Sequence, residues 1–503
     1  MARRILVYLL AAALGLGALP CPPALALSLE EERKLGQQAY QEVVNAIPMV
    51  TDPEVVDYIQ KLGAKLVAHL PEKEFEYRFY VADSSEMNAF AIPGGYIFFY
   101  RGMITSLDNE AELAGIMAHE MGHVWRRHIA KRMDKALPGS VLSMAGMVTG
   151  ILLGALAGAP QLGSAITFGS MAGNIQQQLA FSRTDEAEAD WAGHKIMTAA
   201  GYPGQEMAKT FRRMWRMEQQ MGVNLPTYMR SHPQSPERME AIENLVRRDP
   251  PYKGHFDNNR FDHVKLRLIA LYDPPDTAAD TLAAMAREKP GSPLPLYGQA
   301  LLSMRKRDYD QALRILDEME RKWPGDQDAL KERGLCLVRV GRLDEAKSVL
   351  DAALTKDPGN PQILFAIGEA YAHSGQDDVA ASAFRRVVQA QPENLEARRM
   401  LGTSLGRAGN LGEAALQLGL TFKQENNERL ARYHLERAVS QLADRPELRQ
   451  EAQKALNELN DPGEMEKRKR KPGPEQEEEQ RDDPRAPWIG PGISGQRSAP
   501  RDF

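Results

Sequence analysis

Cysteine is almost absent from this chain of 503 residues, which has two. Cys21 falls in an apolar leader that is expected to be removed, so Cys336 is left alone and an internal disulfide is excluded. An excess of charge of one sign is also missing. The 63 basic residues face 68 acidic ones for a net charge of −5, with no basic stripe, which argues against a nucleic-acid partner. Long apolar runs are confined to residues 5–19 and to the stretch 140–173. What is present in quantity is core-forming material: 43% of the residues are hydrophobic, enough to exclude a disordered chain, and the length calls for two or more domains.

The first 26 residues have the three parts of a secretory signal. Arg3 and Arg4 precede the apolar run, and Ala24-Leu25-Ala26 offers a small-x-small cleavage site. A lipid anchor on Cys21 is the alternative, but Pro20 is a poor residue before a lipidated cysteine. An exported chain with a single remaining thiol suits a periplasm.

Ser28-Leu29-Glu30-Glu31 has the form of a capping box and opens an amphipathic helix towards Ile47; a second helix fits residues 53–70. Alternation predicts a strand over 74–82, and further strands around Asn88-Ala89-Phe90-Ala91-Ile92 and 96–100, before a helix over 109–133. The uncharged, Ala/Gly/Leu/Met-rich stretch 140–173 reads as a helical hairpin, either buried or lid-like, or touching a membrane.

From about residue 295 the chain repeats. Ala312, Ala346, Ala380 and Ala414 are spaced by 34, and so are Gly334, Gly368 and Gly402, Gly341, Gly375 and Gly409, and Pro324, Pro358 and Pro392. That period, with small residues where two helices touch, is the tetratricopeptide signature. Residues 426–459 lack the period, read as helical, and are expected to cap the solenoid; the polar remainder from 461 cannot bury a core and is expected to be disordered.

The chemistry centres on His119-Glu120-Met121-Gly122-His123. Residues i and i+4 share a helix face, so His119 and His123 can offer imidazoles to one ion, and Glu120 can take a proton from water activated there. A catalytic site needs a third protein ligand. In Asp185-Glu186-Ala187-Glu188-Ala189-Asp190, Glu186 and Asp190 share a face and Glu188 points away. Glu186 is assigned as the third ligand and Asp190 as the carboxylate that orients a ligand imidazole. Taken without the histidine pair, the same segment is an ordinary acidic helix start. His128, five residues past His123 and about 140° around a continuous helix, is read as a surface or packing residue. His232, before Pro233, is either incidental or an active-site group that steadies an oxyanion or fills the open metal position.

The motifs together resemble the zinc endopeptidases similar to the CAAX prenyl protease and the heat-shock membrane protease, a gluzincin family, and in particular its periplasmic branch with a tetratricopeptide tail. The resemblance rests on residues 88–95, 109–115 and 119–123, Ser182-Arg183 with 186–190, Ser231-His232-Pro233, and the repeats. It implies one Zn2+ per chain on His119, His123 and Glu186, Glu120 as the catalytic base, and His232 in the active site. It also suggests that Asn88, Ala89, Phe90, Ala91 and Ile92 form a strand that pairs with substrate backbone.

The resulting fold class is α+β and mostly helical. A zincin-type metallopeptidase domain with a small sheet (27–250, containing the hairpin) is followed by a connection (251–294), an all-α repeat solenoid (295–460) and a polar tail (461–503). The function expected is cleavage of misfolded or stalled polypeptides in the periplasm. By resemblance the clients are outer-membrane β-barrel proteins and their assembly machinery, engaged through the repeats. The rival reading is a chaperone or adaptor with a latent peptidase site.

Overall fold

The computed structural model describes residues 27–136, 181–221, 225–254, 256 and 258–460. The expected signal, the apolar hairpin and the polar tail lie outside these residues. Among the described residues no helix is long and apolar enough to cross a membrane. The chain divides at Leu268 into two compact units.

The first unit opens with α1 (Leu29–Ala46), whose capping box forms as expected, with Ser28 N 2.9 Å from Glu31 Oε2 and Glu31 N 3.2 Å from Ser28 Oγ. The next helix, α2 (Pro53–Val67), starts at Asp52, which accepts from the amides of Glu54 and Val55 and pairs with Arg267 at 2.7 Å. Three strands follow, β1 (Arg78–Ala82), β2 (Ala89–Ile92) and β3 (Tyr96–Tyr100), in the order β1-β3-β2. The pair β1/β3 is parallel and β2/β3 antiparallel. The strand expected over 74–82 is shortened to its second half, because Arg78 is matched by Tyr96, where β3 begins, and earlier residues have no ladder partner in it. Gly94 and Gly95, with φ of 80° and 95°, make the tight turn between β2 and β3, a conformation that other residues adopt only with strain. Tyr40 of α1 stacks on Tyr96 at 5.0 Å and Phe90 stacks on Phe98 at 5.0 Å, so aromatic rings fill the space between α1 and the sheet.

After the short α3 (Arg101–Ser106) comes α4 (Glu110–Trp125), capped by Asn109, which accepts from Glu112 N at 2.9 Å. Every residue from 111 to 124 is buried, so this helix is enclosed all round, with β2 among its neighbours. A single helix over 109–133 was expected. Instead Arg127 takes φ 54°, α4 ends, and α5 (His128–Ala136) sets off in a new direction. Arg127 is held there by Glu32 of α1, with Nε 2.7 Å from a carboxylate that is itself buried.

The unit is completed by α6 (Arg183–Ala199), α7 (Gly204–Met221), α8 (Thr227–Ser231), α9 (Pro236–Val246) and the start of α10 (Asn259–Tyr272). Two glycines bring α4 and α6 together. A Cβ on Gly122 would sit 2.9 Å from Ala189 O, and one on Gly193 would sit 2.9 Å from His119 N and 3.0 Å from its Cα. Since the obstacle is backbone, Gly193→Ala is expected to cost about 1–3 kcal/mol in chemical denaturation. An unchanged midpoint would mean that the helices cross at a greater distance.

The second unit is a run of helices: α11 (Pro275–Glu288), then the pairs α12 (Leu294–Arg305) with α13 (Tyr309–Lys322), α14 (Gln327–Arg339) with α15 (Leu343–Lys356), α16 (Pro361–His373) with α17 (Asp377–Ala390), and α18 (Leu395–Arg407) with α19 (Leu411–Gln424). Beyond the periodic copies lie α20 (Glu428–Gln441) and α21 (Pro446–Asn460). The repeated residues have repeated tasks. Gly334, Gly368 and Gly402 lie where a Cβ would strike Leu350, Phe384 and Leu418, three large residues of the facing helices that are themselves 34 apart. Gly341, Gly375 and Gly409 make the left-handed turn inside each pair, and in the first copy Arg307 adopts the same conformation at φ 60°.

Candidate metal centre

The central helix α4 and its neighbour α6 cross so that one face of each meets in the interior. His119 and His123, one turn apart on α4, are fully buried, and Glu186, in the first turn of α6, is 3% exposed. His232, the residue that ends α8, is 1% exposed and completes the group. One ligand atom from each of these four lies within 4.8 Å of all the others. The Nε2 atoms of His119 and His123 are 3.1 Å apart, His232 Nδ1 is 3.3 Å from His119 Nε2, and Glu186 Oε1 is 2.9 Å from His232 Nδ1 and 3.5 Å from His123 Nε2.

The outer nitrogens of the two α4 imidazoles are occupied. His119 Nδ1 is 3.0 Å from Asp190 Oδ1, and His123 Nδ1 is 3.0 Å from His128 Nδ1. If those outer nitrogens carry the protons, the Nε2 lone pairs face each other across 3.1 Å, a repulsive arrangement that a shared cation turns into an attractive one. Two or three nitrogens and a carboxylate oxygen, all out of water, make a donor set of the kind that binds zinc. His128 is not among the four donors, but it is buried rather than on the surface: Arg127 breaks the helix, so the 140° offset no longer applies and His128 folds back onto His123.

Two buried carboxylates beside each other need a cation, and the structure supplies one in Arg238 near the start of α9. Its Nε and Nη2 reach Asp190 Oδ2 and Oδ1 at 2.6 and 2.8 Å, and Nη1 contacts Glu186 Oε2. Burial alone would raise both carboxyls, but Arg238, with His232 on Glu186 and His119 on Asp190, outweighs it and holds them below their ordinary values. His123 is pushed well below the usual histidine range by burial and by the neighbouring imidazoles. Glu120, 1% exposed, is raised to about 7, mainly by burial, with His119 opposing and Glu186 adding to the rise. Its Oε1 is 3.6 Å from His232 Nε2.

Among the described residues, aromatic rings pack against the imidazoles. Phe181 lies against His123 at 3.9 Å and stacks on His232 at 5.1 Å, Phe211 meets His119 edge-on at 5.6 Å, and the Tyr228 ring is 4.6 Å from that of His232. The Tyr228 phenol is kept protonated by burial and by Glu120. Residues 89–92 lie on β2, an outer strand whose four residues are all buried, with Asn88 just before it. The structure thus gathers His119, Glu120, His123, Glu186, Asp190 and His232 at one place. The sequence reading gave no part to Arg238, Tyr228 or Phe181. A signal existed for Arg238: acids at i and i+4 on an inward face require a buried cation.

Residues 51–246 match peptidase family M48, and tetratricopeptide repeat matches fall at 297–361, 337–392 and 365–428. The chain is 28% identical over 296 residues to the beta-barrel assembly-enhancing protease of Escherichia coli K12, which covers 58% of this chain and 59% of that protein. Its named counterpart in Vibrio cholerae is 30% identical over 324 residues, or 60% of this chain and 66% of that protein. Metalloprotease LoiP of Escherichia coli K12 is 28% identical over 231 residues, 45% of this chain and 84% of that one. The chain therefore spans 59 and 66% of the length of the first two relatives.

Proposed function

We propose that this chain, which carries a peptidase family M48 domain followed by tetratricopeptide repeats, is a zinc-dependent endopeptidase of the periplasm that cleaves misfolded or stalled polypeptides. Its clients are outer-membrane β-barrel proteins and their assembly machinery, engaged through the repeats. The observation that carries the reading is the buried donor set of His119, His123, Glu186 and His232 beside Glu120. The relatives named for β-barrel assembly support the choice of clients.

His119, His123 and Glu186 would hold the ion, with Asp190 and Arg238 fixing the orientation of His119 and Glu186. When bound, zinc supplies the positive charge that polarises the scissile carbonyl and acidifies water. Glu120 takes the proton of the attacking water and hands it to the leaving amine. His232 is the fourth member of the donor set and would cap the ion until it is displaced, when its imidazole would be free to steady the oxyanion. A client backbone adds to the outer edge of β2, a recognition that is loose in sequence because it uses main-chain bonds.

The test is metal analysis together with cleavage of an unfolded outer-membrane protein. One zinc per chain is expected, with cleavage abolished by a chelator and restored by stoichiometric zinc. Cleavage that survives complete metal removal would overturn the reading.

A further inference from the structure

His128 stands between one ligand imidazole and the surface. Its side chain is 1% exposed. Nδ1 lies 3.0 Å from His123 Nδ1, and Nε2 lies 3.4 Å from Glu188 Oε2 and 3.9 Å from Asp185 Oδ1. Both acids sit in the first two turns of α6. Asp185 uses Oδ2 to close the capping box with Ser182, leaving Oδ1 towards His128, and Glu188, 38% exposed, is paired with Arg126 Nε at 3.1 Å.

The two nitrogens that meet at 3.0 Å cannot both donate or both accept, and the site itself decides which does what. His123 turns Nε2 to the donor set, so its proton is on Nδ1 and is donated to His128. His128 Nδ1 is then the acceptor, its proton is on Nε2, and that proton faces the two carboxylates. Every polar atom of the chain from Glu188 to His123 has one consistent role.

We propose that His128 is a positioning residue for the metal: by accepting the Nδ1 proton of His123 it fixes the ring in the tautomer that offers Nε2 to the ion, and Glu188 and Asp185 hold it in that role. The inference rests on the zinc reading above and extends it. It also changes what α6 does. Its segment 185–190 supplies Glu186 to the donor set, Asp190 behind His119, and Glu188 with Asp185 behind the group that backs His123, so one and a half turns of helix govern both α4 imidazoles. The two supports are unlike: His119 meets a carboxylate directly, whereas His123 meets a neutral imidazole that relays to one.

The experiment compares full-chain wild type, His128→Leu and His128→Gln by zinc competition with a chromogenic chelator and by the visible spectrum of the cobalt-substituted protein. His128→Leu strands the Nδ1 proton of His123 and is expected to weaken zinc binding about 10–100-fold with altered cobalt bands. His128→Gln, whose side-chain oxygen can take that proton and whose amide can reach Glu188, keeps most of the affinity and the wild-type spectrum. If His128→Leu does not fold, Glu188→Gln, at a half-exposed position, replaces it, with a smaller loss of affinity expected. Tight zinc binding by wild type with the same affinity in His128→Leu, or in Glu188→Gln where that stands in, overturns this inference alone. Equal losses in the Leu and Gln variants overturn it too, because they mark a packing role. Wild type that binds no zinc overturns the metal reading itself.

Discussion

Replacing Glu120 with Gln lowers the rate of client cleavage by about 10²–10⁴-fold and leaves the metal in place. The substitution keeps the shape of the side chain and removes the base, while His119, His123 and Glu186 are untouched. Stability is expected to hold as well. The Glu120 carboxyl is buried and burial, the largest influence on it, works against its charged form, so a neutral amide is not penalised in that place. The measurements are kcat on an unfolded β-barrel protein, zinc per chain, and the thermal midpoint of the metal-free protein. Cleavage at the wild-type rate would remove Glu120 from the mechanism. Client binding that persists without cleavage separates the peptidase from the adaptor role, because the repeats would then act unaided.

The second large effect is on folding. Removing the cation in Arg238→Met leaves Glu186 and Asp190 buried side by side with no arginine between them, a loss of about 3–5 kcal/mol. For a unit of this size that is a fall in the midpoint of roughly 10 °C, since each kcal/mol shifts it by about 2–4 °C. Arg238→Lys is expected to rescue little. The guanidinium makes two contacts to Asp190 and one to Glu186 in a planar fork that a single ammonium cannot reproduce. The loss is greatest in metal-free protein, because a bound divalent ion takes over part of the charge on Glu186. Calorimetry with and without one equivalent of zinc measures both parts, and a variant that melts like wild type in both would contradict the ion-pair account.

How much of this was legible in the sequence depends on how local the signal is. The pairs His119 with His123 and Glu186 with Asp190 were readable because one helical turn fixes their geometry, and the repeats because each copy states the same contacts again. Arg238 was not, since Ser235-Pro236-Glu237-Arg238 reads as an ordinary helix start and its partners are 48 and 52 residues away. The contact of His128 with His123 was hidden for a different reason. One residue in a left-handed conformation, pinned by Glu32 from the far end of the unit's sequence, resets the direction of the chain, and helical bookkeeping across Arg127 then fails. The shortened β1 follows the same logic: a strand ends where its partner ends, and alternation alone does not say where that is.

In the repeat unit each helix rests mainly on the next and on its counterpart one pair along. Such an array behaves mechanically as springs in series. A load applied at one end is shared among many small rotations between pairs, so the array as a whole is more compliant than any single pair within it. A client that grips the repeats at two points can therefore be followed as it changes shape, at little cost to any one contact.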